Sequence, residues 1–197
     1  MKKDVNPCKV ITGPDVRWSY VNVWEPRSVM GGRMKYSLSL IIPKSYVETL
    51  DQIRRAIRAA YEAGGMKLRG NDKSVPPLED LILPLRDGDV EHAGDAAYEG
   101  CMFLNASSTV APGIVDAKRQ PITDHSLVYS GVYGRASVTF FAFNVDGNRG
   151  ISCGLNNLQK IRDGEPLSAR IPAEEDFDTC DDDDDFLDDD ELDDIYG

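Results

Sequence analysis

The amino-acid sequence predicts a mainly β fold, a small barrel with one prominent amphipathic α-helix and an acidic C-terminal tail. Two observations carry this prediction: several segments alternate apolar and polar residues, and glycines fall where the strands of a small barrel bend. A length of 197 residues suits one domain with a hydrophobic core better than two. We therefore expect a folded body over residues 1–172 and a disordered tail over residues 173–197.

Strands account for most of the predicted secondary structure. Period-two alternation and an excess of β-branched and aromatic residues indicate strands at 16–24, 34–42, 101–105, 127–144 and 149–153. The pair Asp146-Gly147 predicts a tight hairpin between the last two strands. Many short strands with glycines at bends favour a barrel of the OB type, which often binds single-stranded nucleic acid.

One segment of the body predicts a helix. Ser45 and Glu48 have the spacing of a capping box, and apolar residues then recur at steps of three and four until Gly64-Gly65. The helix follows the second predicted strand, whereas many OB folds place theirs between the third and fourth. The segment 65–100 is rich in Pro, Gly and Asp, which predicts loops.

Acidic residues are concentrated at the end of the chain. The net charge is −12, but 15 of the 34 acidic residues and none of the 22 basic ones lie from Ala173 onward, which leaves the body with a net charge of +3. Like charges at nearly every position prevent the tail from folding alone, so we expect it to be extended and mobile. Solubilisation would explain such a tail, but its scattered apolar residues favour a docking peptide: Phe186, Leu187, Leu192, Ile195 and Tyr196.

Aromatic and basic residues share the predicted strands, as binding of single-stranded DNA requires. In the 127–144 strand, alternation places Tyr129, Tyr133, Arg135, Phe141 and Phe143 on one face, and the first three of these form the leading candidate surface. The first two strands supply candidates of second rank. Alternation places Trp18, Tyr20 and Trp24 on one face of the first strand, and nearby candidates are Arg17, Arg33, Lys35 and Tyr36. We assign Phe140, Phe141 and Phe143 to the core, because phenylalanines in apolar runs are usually buried.

Other chemistry has weaker support. Asp87, Asp89, Glu91 and His92 could hold Mg²⁺ for a metal-dependent nuclease, although an acidic surface loop explains them equally well. A second alternative is a DNA-mimic protein whose tail binds a basic partner. Four separated cysteines and two histidines lack metal-ligand spacing, and no phosphate-binding glycine loop is present, so we expect no metal, no cofactor and no enzymatic activity.

Four segments resemble a family of tailed-phage proteins. They are 35–57 (KYSLSLIIPKSYVETLDQIRRAI), 103–108 (FLNASS), 129–144 (YSGVYGRASVTFFAFN) and 147–167 (GNRGISCGLNNLQKIRDGEPL). Characterised members of this family are replicative single-stranded DNA-binding proteins with an OB fold and an acidic tail. The resemblance implies a protein that protects single-stranded DNA during replication or recombination. It also implies a tail that competes with DNA or contacts a polymerase, helicase or nuclease.

Two simpler features of the sequence bear on the location of the protein. No apolar run is long enough to span a membrane, and the basic N-terminus lacks the apolar region of a secretory signal. We therefore expect a protein of the host cytoplasm with no membrane partner. The sequence leaves homo-oligomerisation open.

Overall fold

A computed structural model describes residues 6–28 and 32–167. The predicted tail, with its proposed docking residues Phe186, Leu187, Leu192, Ile195 and Tyr196, lies outside these described residues. Within them, no helix is long and apolar enough to cross a membrane.

Five strands close into a barrel. They are β2 (Val16–Arg27), β3 (Lys35–Pro43), β5 (Cys101–Ser108), β7 (Tyr133–Val145) and β8 (Asn148–Arg162). Neighbours pair in the order β2–β3–β5–β8–β7 and back to β2, and all these pairs are antiparallel except β5–β8. This closure is the OB-type architecture that the sequence predicts.

Three short strands extend the barrel wall. β1 (Lys9–Ile11) pairs with β7, β4 (Leu85–Asp87) with β5, and β6 (Gly113–Val115) with β8. β5 and β8 share a single residue pair, Ser107 with Gly154. The segment around β4 bridges this weak seam, because Ile82 forms a parallel bridge to Gly150 of β8.

The helix α1 (Val47–Ala63) packs its apolar stripe into the core. It follows the second barrel strand, β3, as predicted. Leu50, Ile53 and Ile57 are at most 5% exposed and belong to the main hydrophobic cluster. Burial of each such side chain stabilises the fold by about 1.5–3 kcal/mol. The predicted capping box is wrong, because Tyr46 occupies the N-cap and no side chain caps the helix.

The segment 65–100 is more ordered than predicted. It contains α2 (Gly65–Arg69), α3 (Gly88–Glu91), β4 and a 3₁₀ turn at Leu78–Asp80. Tyr98 is 1% exposed and packs against Ile41 and Phe103, which face away from the barrel interior. This segment therefore covers the outer face of β3 and β5.

Candidate nucleic-acid interface

Two arginines and a tyrosine lie side by side where β2 and β7 begin and β8 ends. Tyr133 pairs with Arg17 on one neighbouring strand and with Arg162 on the other. The guanidinium carbon of Arg162 lies 3.6 Å from the centroid of the Tyr133 ring, and that of Arg17 lies 5.4 Å from it. Cation–π attraction holds both charges beside the ring, so an aromatic face and phosphate-binding cations occupy one spot.

Tyr129, Arg135 and Lys160 extend this spot. The Lys160 ammonium lies 5.8 Å from the Tyr129 ring centroid, and the Tyr129 hydroxyl donates to the Gly164 carbonyl at 2.9 Å. Arg135 is exposed and donates from Nε to the Thr12 carbonyl at 3.2 Å. We name the whole group the cationic-aromatic cluster: Arg17, Tyr129, Tyr133, Arg135, Lys160 and Arg162.

Two carboxylates at the edge of the cluster moderate its charge. The Tyr46 hydroxyl donates to Asp15 at 2.5 Å and, with Arg162 at 3.4 Å, lowers the pKa of that carboxyl. A hydrogen bond from Lys160 lowers the pKa of Asp163. Four cations thus face two carboxylates that stay ionised at neutral pH, so the cluster keeps a net positive charge.

The chain beyond β8 crosses back over the cluster. Arg17 Nη2 donates to the Glu165 carbonyl at 2.7 Å, and the Leu167 amide donates to the Ser130 carbonyl at 2.8 Å. Gly131, at φ +127°, makes this approach possible, because a Cβ there would lie 2.2 Å from the Glu165 oxygen. The segment 163–167, which we call the strap, leads into the tail and lies against the cationic-aromatic cluster.

The predicted aromatic face of β2 does not form. Trp18 is fully buried in the core, so its ring is not available to a base and its assignment to the interface is wrong. Tyr20 is 61% exposed, because it adopts a left-handed conformation (φ 47°) at an irregularity in the β2–β3 pairing. The irregularity breaks the strand alternation on which the prediction of a shared face depended.

Trp24 packs on a loop. Its ring stacks on His125 with centroids 4.2 Å apart, and it is partly buried against the core. The loop 116–127, which includes Lys118, borders a groove of about 490 Å³ that Lys160 and Arg162 also line, together with three aspartates. Lys160 and Arg162 therefore connect this groove to the cationic-aromatic cluster.

The candidates near the start of β3 belong to another part of the surface. Arg33 and Lys35 are exposed and Tyr36 is half-buried. Lys35 pairs with Arg27 at the far end of β2 from Arg17, whose partner is Ile41, and the six residues from Lys35 to Ile41 on β3 span roughly 20 Å. The structure thus does not bring these residues together with the cationic-aromatic cluster.

The long strand keeps its predicted alternation but not all of its predicted burial. Phe140 is 1% exposed, as expected, whereas Phe141 is 48% exposed, so its assignment to the core is wrong. Phe141 lies an even number of residues from Tyr133 and Arg135 on β7, so its side chain points to the same side of the sheet. Alternation already placed Phe141 on the face of Tyr133, but its position in an apolar run favoured the core, and the exposure of that face overrides this.

The acidic loop has a structural explanation. Lys44 Nζ lies 2.8 Å from Asp87 and 2.6 Å from Asp89, and Asp89 also accepts from the Gly100 amide. A lysine thus occupies the position that a cation would take. No group of potential ligands in residues 6–28 and 32–167 could hold a metal ion.

Comparisons with known proteins identify relatives of this chain. A family model described as Enterobacter phage Enc34, ssDNA-binding protein, matches residues 8–187. Putative protein p50 of Acyrthosiphon pisum secondary endosymbiont phage 1 is 29% identical over 174 residues, which cover 83% of this chain and 90% of that protein.

Solved structures share the fold. The single-stranded DNA-binding protein from bacteriophage Enc34, solved in complex with ssDNA, has a TM-score of 0.66 at 20% identity over 84% of this chain and 96% of its own. The single-stranded DNA-binding protein gp2.5 of bacteriophage T7 has a TM-score of 0.56 at 14% identity over 82% of this chain and 90% of its own. The barrel is therefore of the kind found in phage single-stranded DNA-binding proteins.

Proposed function

This chain belongs to the family of the Enterobacter phage Enc34 single-stranded DNA-binding protein, and we propose that it coats single-stranded DNA without sequence specificity during phage replication or recombination. The observation that carries this proposal is the cationic-aromatic cluster. Tyr133 offers a ring on which any base can stack, and Arg17 and Arg162 lie beside the ring, where they can bind the phosphates of the same strand. None of these contacts requires a particular base edge.

Replacement of Tyr133 by Ala tests the proposal. Loss of one stacked base should weaken binding of a labelled oligonucleotide about 5- to 150-fold, which corresponds to about 1–3 kcal/mol. Fluorescence anisotropy would measure the affinity, and a melting curve would show that the barrel remains folded. Arg58→Ala, on the exposed face of α1, is the control. Unchanged affinity in a folded Tyr133→Ala protein would contradict the proposal.

Salt dependence tests the contribution of the cations separately. The logarithm of the affinity should fall linearly with the logarithm of the salt concentration, with a slope of about −0.7 per neutralised phosphate on a single strand. Arg135→Ala should make this slope shallower by about 0.7, whereas Arg58→Ala should not change it. Equal slopes for the two variants would remove Arg135 from the interface.

We further propose that residues 173–197 form a separate acidic tail that competes with DNA for the cluster and docks replication proteins. The strap supports this, because it leads toward the tail while it contacts Arg17 and Tyr129. A segment with 15 negative charges and no positive ones, tethered there, has a high effective concentration near those cations. Deletion of 173–197 should tighten binding at low salt, and unchanged or weaker affinity would refute competition.

The proposed activity is binding rather than catalysis. The nuclease alternative depended on Asp87 and Asp89, which Lys44 bridges. Incubation of single-stranded and duplex DNA with Mg²⁺ or Mn²⁺ should leave both intact. Cleavage that Asp87→Asn abolishes would favour the nuclease.

A further inference from the structure

The outer face of β7 continues from the cationic-aromatic cluster toward the opposite end of the strand. Tyr133, Arg135, Ser137, Thr139 and Phe141 occupy alternate positions on it, and every residue between them is buried. β1 lies beside β7 over 137–139, and β8 flanks its other edge along the whole strand. A single exposed surface thus connects Tyr133 with Phe141.

Phe141 resembles Tyr133 in its setting. It is 48% exposed, and a Cβ at Gly154 on β8 would lie 3.3 Å from its ring, so the ring lies close to the backbone of the neighbouring strand. Lys67 lines the same hollow of about 340 Å³ as Phe141, together with Cys8, Ala63 and Met66. Lys9 pairs with Thr139 and so lies on the same sheet face, two positions from the ring.

Apart from Ile11, which is exposed and pairs with Ser137, the surface between the two rings is polar and almost free of negative charge. Asn156 donates from Nδ2 to Thr139 at 3.0 Å and to Ser137 at 3.4 Å, which leaves hydrogen-bonding groups along the path. Residues 133–162 contain four basic residues and a single acidic one, Asp146, which lies in the hairpin turn. Phosphates crossing this surface therefore meet no carboxylate of the two strands.

We propose that Phe141 is a second base-stacking platform and that single-stranded DNA runs along β7 from Tyr133 to Phe141. This inference rests on the proposed function, because it extends the same interface. Eight residues of strand span about 26 Å. At about 3.4 Å per nucleotide that distance corresponds to about eight stacked nucleotides, and to fewer in a stretched strand. An oligonucleotide must therefore exceed a minimum length before it can reach both rings.

DNA fits this surface better than an apolar peptide does. A peptide that buried Phe141 and Met66 would find one further exposed apolar side chain at Ile11, whereas Ser137, Thr139 and Asn156 continue the surface as polar groups toward Arg135. Stacked bases with a phosphate backbone match rings at both ends and cations beside each. The surface around Phe141 is continuous with the cationic-aromatic cluster on one face of β7, and this continuity favours DNA over a peptide.

Oligothymidines of two lengths test the inference on the full chain. Phe141→Ala should lower the affinity for an oligomer of about 16 nucleotides by about fivefold or more and leave that for about four nucleotides unchanged. Tyr133→Ala should weaken the binding of both lengths. Val90→Ala removes an exposed apolar side chain from α3, in the acidic segment, and is the control, with no expected loss. Phe141→Tyr keeps the ring and should restore binding of the long oligomer.

The outcomes separate this inference from the function on which it rests. If Tyr133→Ala weakens binding but Phe141→Ala leaves both lengths unaffected, the second platform is refuted and the proposed function stands. If Phe141→Ala weakens both lengths equally, a path that begins at Tyr133 is refuted. If neither substitution changes affinity in a folded protein, both proposals fail.

Discussion

Two faces of the same barrel differ in cover and in charge. The outer face of β3 and β5 lies under Tyr98 and its neighbours, in a segment (70–100) with eight acidic and two basic residues. The outer face of β7 and β8 is exposed, and its segment (133–162) has four basic residues and one acidic residue. The body has a net charge of only +3, which is too small to attract a polyanion to every part of its surface. We therefore expect the positions of the charges, rather than their sum, to determine where DNA binds.

The contrast separates residues that fold the protein from residues that bind. Phe103 and Tyr98 on the covered side pack edge to face with ring centroids 5.4 Å apart. Tyr133 and Phe141 on the open side are partly exposed and have cations nearby. Aromatic residues thus have different roles on the two faces. Substitutions should lower stability on the covered face and DNA affinity on the exposed face.

The largest expected effect is loss of stability on the covered face. Tyr98→Ala removes a ring that is 1% exposed, and we expect the free energy of unfolding to fall by about 3–5 kcal/mol, as for other buried aromatic residues. Phe141→Ala, 48% exposed, should lower it by less than about 1 kcal/mol. Denaturant titration of both variants checks this, and equal losses would break the distinction between the faces.

A single negative charge should discriminate between the faces in DNA binding. Thr139→Glu places a carboxylate midway along the open face and should lower single-strand affinity about tenfold at low salt, through repulsion of nearby phosphates. Ala93→Glu makes the same charge change on the acidic segment, where Ala93 is exposed, and should leave affinity within about twofold. Similar losses in the two variants would show that only net charge matters.

The sequence predicts the barrel well because apolar, β-branched and aromatic residues mark its long strands, although β3 is buried on both faces from Leu38 to Ile42. It predicts Tyr133, Arg135 and Arg17 as interface residues, and the structure brings them together. It misses Arg162 and Lys160, because the second half of β8 is polar and lacks a strand pattern. Their pairing with β7 follows only from extending the Asp146-Gly147 hairpin beyond its apolar part.

Trp18 and Phe141 show the limit of reasoning from pattern. Alternation assigns residues to two faces but does not say which face is covered, and a segment remote in sequence decides that. At Tyr20 even the alternation fails, since a left-handed residue in mid-strand has no sequence signal when it is not glycine. The tertiary environment, rather than local propensity, determines which rings are exposed.

The smallest expected effect concerns Asp15, which opposes the charge of the cluster. Asp15→Asn frees Arg162 from its ion pair, so single-strand affinity at neutral pH should rise about twofold, in keeping with the modest strength of exposed ion pairs. Asp51→Asn is the control, because it frees Arg54 on α1 with the same change of charge. Equal increases in affinity for the two variants would show that Arg162 contributes no more to DNA binding than a cation elsewhere on the surface.

The pH dependence of stability tests the same carboxylate. Its pKa is lowered in the folded protein, mainly by the Tyr46 hydroxyl, so its ionised form stabilises the fold above the ordinary pKa of an aspartate, about 3.9. That contribution is lost as the pH falls through the lowered pKa. The melting temperature of Asp15→Asn should therefore lie below that of the unsubstituted protein at neutral pH and converge with it in acid. A constant difference at all pH values would mean that the substitution acts through packing, and that Asp15 does not hold Arg162 by its charge.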